Sequence, residues 1–238
     1  MPRLLFNRDG GSGALFAFEP PITHNQLCRV VNSLKNTQVD VFIQCVSYGS
    51  FVVHNTRVGE VYGLNMTDDE FENENFRRWT NNVKELFDSG QDPLTIWADR
   101  AHSLGMQFYA SMRMNDIHKD WVERWPSLRS QWERERPYVA IGRDVPPDYK
   151  SRHARPGEAS DGFTFAFDFT VDEVRNHKLA LIDEICSGYD IDGLEMDFLS
   201  HPMYFKWGRE GDGAPLMTEF MRQVRKTADR ACKEKNRR

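Results

Sequence analysis

The sequence predicts an α/β protein built around a parallel sheet. Strand-like segments alternate with helical segments along the 238 residues, which is the pattern of strand–helix–strand units. The segment VDVFIQCV (39–46) is almost continuously apolar, as is typical of a strand covered on both faces. Polar residues follow the ends of the strand segments, where parallel sheets with right-handed crossovers collect their functional groups.

The first half of the chain contains two of the predicted strands. RLLFN (3–7) is a short strand, and residues 23–34 form a helix with apolar residues at helical spacing and Thr23 as its N-cap. The apolar run 39–46 is the second strand. A long polar insertion follows, and it contains a helix over residues 71–90.

The next helix has the strongest end signals in the sequence. Residues 92–105 begin with Asp92 as a cap and Pro93 at the first helical position, and they end at Gly105. MQFYASMR (106–113) is then the third strand.

The fourth unit follows a second insertion. Thr170 and Glu173 have capping-box spacing and predict a helix over 170–188. IDGLEMDF (191–198) is the fourth strand, and residues 214–235 form the closing helix.

Composition excludes several classes of protein. The chain has 39% hydrophobic residues and a net charge of −5, which argues against a nucleic-acid partner. No apolar run approaches the ~20 residues of a membrane span, and the amino terminus lacks the apolar centre of a signal peptide. We therefore expect no membrane partner, whereas a secreted or periplasmic location stays open if a leader has been removed.

No C-x-x-C pair or glycine-rich phosphate loop is present, so we expect neither a metal nor a cofactor.

Two carboxylates dominate the fourth strand. Successive strand side chains point to opposite faces, so Glu195 and Asp197 share one face while Leu194 and Met196 share the other. Same-face neighbours lie roughly 6–7 Å apart. This separation suits two carboxyl groups that divide acid and base chemistry at one scissile bond. We therefore assign Asp197 and Glu195 as candidate catalytic residues, with Asp197 as the general acid or nucleophile.

Other polar side chains follow the strand ends and are candidates for substrate binding. They offer hydrogen-bond donors, acceptors and a titratable imidazole. These candidates are Asn7, Asp9, Arg113, Asn115, Asp116, His118 and His201.

Four stretches of the sequence resemble the family-10-like glycoside hydrolases, a group of carbohydrate-active barrel proteins. They are RLLFNRDG (3–10), SMRMNDIH (111–118), FDFTVDEVR (167–175) and YDIDGLEMDFLSHP (189–202). The resemblance covers nearly the whole chain and implies a (β/α)8 TIM barrel with a carbohydrate substrate.

A complete barrel has eight strand–helix units, and this chain supplies four. We therefore expect a single catalytic-type barrel domain over residues 1–238, truncated to its amino-terminal half, with insertions at about 48–91 and 114–165. The sheet edges of such a half-barrel would be open to self-association.

The leading hypothesis is a glycoside hydrolase that acts on a poly- or oligosaccharide through carboxylate chemistry. One alternative is a metal-dependent hydrolase that uses Asp9, Asp116, His118 and His201. Another is a barrel that binds carbohydrate without catalysis.

Overall fold

The structure is a computed structural model, which describes residues 3–10, 13–71, 73–116, 126–142, 165–199, 203–206 and 208–235. It has a mixed α/β fold. The strands are β1 (Leu5–Arg8), β2 (Val41–Tyr48), β3 (Phe51–Val52), β4 (Glu60–Val61), β5 (Gln107–Arg113) and β6 (Gly193–Asp197). The helices are α1 (Gly13–Ala17), α2 (His24–Leu27), α3 (Arg29–Ser33), α4 (Glu74–Asp88), α5 (Pro93–Ser103), α6 (Gln131–Arg134), α7 (Asp172–Gly188) and α8 (Glu210–Glu234).

The six strands form one sheet in the order β4-β3-β2-β5-β6, with β1 paired to β2. β1 runs parallel to β2, and Leu5 pairs with Val41. β3 turns back antiparallel to the end of β2 and pairs with β4. Because β5 occupies one side of β2, β1 and β3 share the other side. The four predicted strands are therefore all present, and the first insertion adds the short strands β3 and β4.

Two predicted helix starts are confirmed by their caps. The Thr23 hydroxyl accepts a hydrogen bond from the Gln26 backbone N–H in a full capping box. The Asp92 carboxylate accepts one from Leu94 N–H at 2.8 Å. These caps satisfy backbone donors that have no partner within the first helical turn.

Two other predictions were wrong in detail. The single helix predicted over 23–34 is divided at Cys28, which caps the end of α2 and the start of α3. The predicted capping box at Thr170 does not form, because α7 begins at Asp172 and the Thr170 hydroxyl donates to Asp168 at 2.7 Å. Asp168 thus competes with the helix end for this hydroxyl.

The chain divides into two compact units. The first consists of Met1–Met112 with Glu184–Met196, and the second of Arg113–Asp183 with Asp197–Arg238. In the first unit, Phe42 of β2 and Phe108 of β5 are fully buried and lie 6.1 Å apart between ring centroids.

The second unit has an aromatic core of its own. Phe169 is fully buried and makes edge contacts with Phe220 of α8 and with Tyr204, at 5.7 and 5.3 Å. In the described part of the chain, no helix combines the length and the apolar character needed to cross a bilayer.

Candidate active site

Glu195 of β6 lies at the centre of a polar cluster in the first unit. The Asn7 side-chain amide of β1 donates to both Glu195 carboxylate oxygens, at 2.8 and 2.9 Å. The Ser111 hydroxyl of β5 donates to Glu195 Oε1 at 2.7 Å. Three strands therefore supply one hydrogen-bonded group, and two of these residues, Asn7 and Glu195, were predicted to belong to the site.

The contact between Asn7 and Glu195 requires a curved sheet. β1 and β6 are three strand spacings apart, which is about 14 Å in a flat sheet at roughly 4.8 Å per spacing. The two side chains are too short to meet across that distance from parallel directions. The sheet of the first unit must therefore bend so that the faces of β1 and β6 carrying these residues converge.

Neutral groups donate the hydrogen bonds that the Glu195 carboxyl group accepts. A carboxylate offers only acceptors, and here its two oxygens accept from the Asn7 amide and the Ser111 hydroxyl. No ion pair to Glu195 is found within the described ranges of the chain. The cluster thus holds the half-buried Glu195 side chain in a fixed orientation through neutral donors.

Asp197 ends β6 and belongs to the second unit. It is half-buried, and its Oδ1 accepts a hydrogen bond from Leu199 N–H at 2.8 Å. The nearby Tyr204 hydroxyl donates to the Phe198 carbonyl at 2.8 Å. Burial, followed by the negative charge of Asp197, raises the pKa of Tyr204, so this phenol stays protonated and donates a hydrogen bond.

Arg113 and Asp116 are both buried in the second unit. The Arg113 Nη1 lies 3.8 Å from an Asp116 carboxylate oxygen, with side chains 7% and 8% exposed. The Lys178 ammonium, which is fully buried, donates to the Arg113 carbonyl at 3.2 Å. The structure therefore brings this predicted pair together as a buried ion pair at the end of β5.

Asn115 has a different role from the predicted contact with substrate. It is fully buried, and its amide donates to the Met203 carbonyl at 2.7 Å and accepts from Phe167 N–H at 2.8 Å. These bonds join three separate segments of the second unit. In this conformation Asn115 has no exposed atom to offer a ligand.

Three predicted site residues remain, and only Asp9 lies in the described part of the chain. Asp9 is exposed and accepts a hydrogen bond from Gly10 N–H at 2.8 Å. His118 and His201 lie outside the described residues. In the described ranges, no group of three or more His, Cys, Asp or Glu side chains is arranged to hold a metal ion.

Sequence reasoning missed Ser111 as a site residue. Its only signal was alternation, because Ser111 lies two positions before Arg113 and so faces the same side of the third strand. Serine is common on strand surfaces. Tyr109 has the same alternating position, so the spacing alone does not identify Ser111 as the residue that contacts the site.

A second polar cluster, also missed, surrounds Glu184 of α7. Its carboxylate accepts from the Thr56 hydroxyl at 2.6 Å, from Arg57 N–H at 2.6 Å and from His54 Nε2 at 3.1 Å. Burial alone would raise the pKa of Glu184, but these hydrogen bonds outweigh it and lower the pKa from 4.5 to about 2. The ionised Glu184 side chain therefore joins the segment after β3 to α7 through these hydrogen bonds.

Comparisons with known proteins find similarity between this chain and carbohydrate-active enzymes. It is 32% identical over 154 residues to the 1,4-alpha-glucan branching enzyme GlgB of Corynebacterium jeikeium, which covers 60% of this chain and 19% of that enzyme. It is 36% identical over 72 residues to GlgB 2 of Streptomyces coelicolor, covering 30% of this chain and 10% of that enzyme. The chain thus spans about a fifth or less of these relatives. No family model matches it.

Solved structures show the same relationship at the level of the fold. Alpha-L-fucosidase isoenzyme 2 of Paenibacillus thiaminolyticus superimposes on 96% of this chain with a TM-score of 0.52 at 9% identity, covering 31% of that chain. GH36 alpha-galactosidase AgaA of Geobacillus stearothermophilus superimposes on 95% with a TM-score of 0.52 at 14% identity, covering 26% of that chain. The chain is glycoside hydrolase-like. Its likeness to these two structures extends over almost all of its own length and over less than a third of theirs.

Proposed function

We propose that this chain carries part of the active site of a glycoside hydrolase that acts on an α-glucan. The α-glucan follows from the similarity to two 1,4-alpha-glucan branching enzymes, and the hydrolase from the carboxylate chemistry of β6. The observation that carries the proposal is the Glu195 carboxylate, oriented by Asn7 and Ser111 at the site where the sequence predicts catalytic groups.

The two carboxylates of β6 have different roles in this proposal. Glu195 has donors on both oxygens, so it acts as a fixed negative charge that stabilises the positively charged, oxocarbenium-like transition state. Asp197, at the end of the strand, is the general acid or nucleophile. Asn7 holds Glu195 in place through its side-chain amide.

The (β/α)8 barrel, its truncation to four units and the single domain over residues 1–238 are part of the same proposal. The barrel and its truncation are supported by the parallel pairing of β1 and β2, the curvature of the first unit and the partial coverage of the structural neighbours, whereas the single domain stays a prediction. The narrower resemblance to the family-10-like group gains no support from the comparisons, and it remains a hypothesis that the proposed chemistry does not require.

The test measures binding and turnover of soluble starch by the 238-residue chain. We expect retardation in native gels that contain starch, and weak release of reducing ends because the groups of four further barrel strands are missing. Asp197→Asn should abolish the release of reducing ends without changing the melting temperature by more than a few degrees, since it removes proton-transfer or nucleophilic capacity but little packing.

Two controls make the outcome specific. Asp229→Asn makes the same chemical change on α8, where the Asp229 side chain is 47% exposed and pairs with Arg225, and should leave turnover unchanged. Retardation without turnover would favour a carbohydrate-binding protein, whereas turnover that is lost on dialysis against EDTA would favour the metal-dependent alternative. Absence of both retardation and turnover would contradict the proposal.

A further inference from the structure

The Asn7 side chain has a fixed orientation in the Glu195 cluster. Its Nδ2 group donates to both carboxylate oxygens of Glu195, at 2.8 and 2.9 Å. The opposite orientation of the amide would place Asn7 Oδ1, which is an acceptor, against two other acceptors. The Glu195 carboxylate therefore determines that Oδ1 is the amide atom of Asn7 directed away from it.

The two oxygens of the Glu195 carboxylate are used unequally. Oε1 accepts from the Asn7 amide and from the Ser111 hydroxyl, whereas Oε2 accepts from the Asn7 amide alone among the described residues. A carboxylate has about four acceptor sites on its two oxygens. Oε1 has therefore filled its share, and Oε2 retains the capacity to accept one more hydrogen bond.

The two acceptors of this cluster lie side by side and towards its exposed end. Asn7 Oδ1 shares a carbon with Nδ2, which lies 2.9 Å from Glu195 Oε2. Asn7 is exposed and Glu195 is half-buried, whereas Ser111, on the Oε1 side, is 3% exposed. Because the amide donor of Asn7 is turned towards Glu195, the pair offers a ligand two adjacent acceptors.

We propose that Asn7 Oδ1 and Glu195 Oε2 bind two neighbouring hydroxyl groups of one neutral sugar unit of the substrate. Both atoms accept hydrogen bonds, and a sugar ring carries hydroxyl donors side by side. A sugar acid is disfavoured here, because its carboxylate has no proton to donate and repels the Glu195 carboxylate. This binding mode rests on the proposed function, since it specifies how the proposed α-glucan is recognised.

Replacement of single hydroxyl groups of the ligand by fluorine tests this binding mode without a change in the protein. Fluorine is close to a hydroxyl group in size but cannot donate a hydrogen bond. Isothermal titration calorimetry gives the Kd of maltotriose and of analogues with one fluorine each. We expect fluorine to raise the Kd about tenfold at two neighbouring positions, as for loss of a hydrogen bond to a charged group, and less than about threefold elsewhere. Equal Kd values for all analogues would overturn the binding mode.

Two variants connect these positions to the protein. Asn7→Ala removes Oδ1, so fluorine at one of the two positions should no longer raise the Kd. Ser111→Ala is the matched control, because it removes a donor to Oε1 of the same carboxylate and keeps both outward acceptors, so both fluorine effects should persist. Circular dichroism checks that each variant folds. Fluorine effects that are unchanged in folded Asn7→Ala would refute the assignment.

Oxidised ligands test the selection against charge. Maltoheptaose in which C6 hydroxyl groups have been oxidised to carboxylates should bind about fivefold more weakly than maltoheptaose, because its charge lies near that of Glu195. Glu195→Gln removes the negative charge of the protein and should abolish this difference. Oxidised maltoheptaose that binds as tightly as maltoheptaose to the unmodified chain would contradict the selection.

Cellohexaose and its C6-oxidised form separate this binding mode from the proposed α-glucan. If only cellohexaose binds, and its oxidised form binds more weakly, the α-glucan is wrong and the recognition of a neutral sugar stands. If maltotriose binds without any fluorine effect, the α-glucan stands and the binding mode is wrong. Binding of none of these neutral ligands would overturn both.

Discussion

Replacing Glu184 by glutamine should destabilise the first unit in a manner that depends on pH. The ionised carboxylate receives three hydrogen bonds, from the Thr56 hydroxyl, Arg57 N–H and His54 Nε2, and its side chain is only 14% exposed. A glutamine side chain has one acceptor oxygen in place of two. Its amide group would meet at least one of these donors with another donor.

The magnitude follows from the lowered pKa. A shift from 4.5 in the unfolded chain to about 2 in the folded protein corresponds to about 3 kcal/mol at about 1.36 kcal/mol per pKa unit. Because the folded pKa is the lower one, this stabilisation is complete above pH 4.5 and is lost as the pH falls through 2. We therefore expect Glu184→Gln to lower the free energy of unfolding by about 2–3 kcal/mol at pH 7 and by about 1 kcal/mol at pH 3.

Urea unfolding followed by tryptophan fluorescence and circular dichroism, at pH 7 and pH 3, measures both values. Glu85→Gln makes the same substitution on the exposed side of α4 and should change the free energy of unfolding by less than about 0.5 kcal/mol. The reasoning fails if Glu184→Gln is as stable as Glu85→Gln at pH 7. It also fails if its destabilisation is equally large at pH 3.

Two further substitutions test packing and buried hydrogen bonds. Gly63 has φ +75°, and a Cβ there would lie 2.5 Å from Thr80 Oγ1 and 2.7 Å from Phe71, so Gly63→Ala should cost about 2–4 kcal/mol in urea unfolding. Gly90 has φ +73° with no atom within 4 Å, so Gly90→Ala should cost only the backbone strain of about 1 kcal/mol, and equal losses would contradict the role of packing. Asn115→Ala leaves the Phe167 N–H and the Met203 carbonyl without these partners and should cost about 2–4 kcal/mol by the same measurement; a loss below about 1 kcal/mol would show that water replaces the amide.

Local patterns were sufficient to predict two helix caps and the four main strands, but not two other helix ends. The structure has the predicted caps at Thr23 and Asp92 and the four predicted main strands. Capping and apolar periodicity depend on residues that are close in the sequence, so the sequence pattern is enough to predict them. The break at Cys28 carries no glycine or proline signal. The competition of Asp168 for the Thr170 hydroxyl depends on a loop conformation that propensities do not describe.

The sequence by itself determined the α/β class, the strand that carries Glu195 and Asp197, and the same-face relation of alternating residues. The tertiary structure decided which distant residues meet these carboxylates. Asn7 and Glu195 are 188 positions apart, and they touch only because the sheet curves, a property of the whole sheet rather than of any segment. The burial of Asn115 also depends on distant residues. Its amide pairs with the backbone groups of Phe167 and Met203, which would otherwise lack these hydrogen bonds.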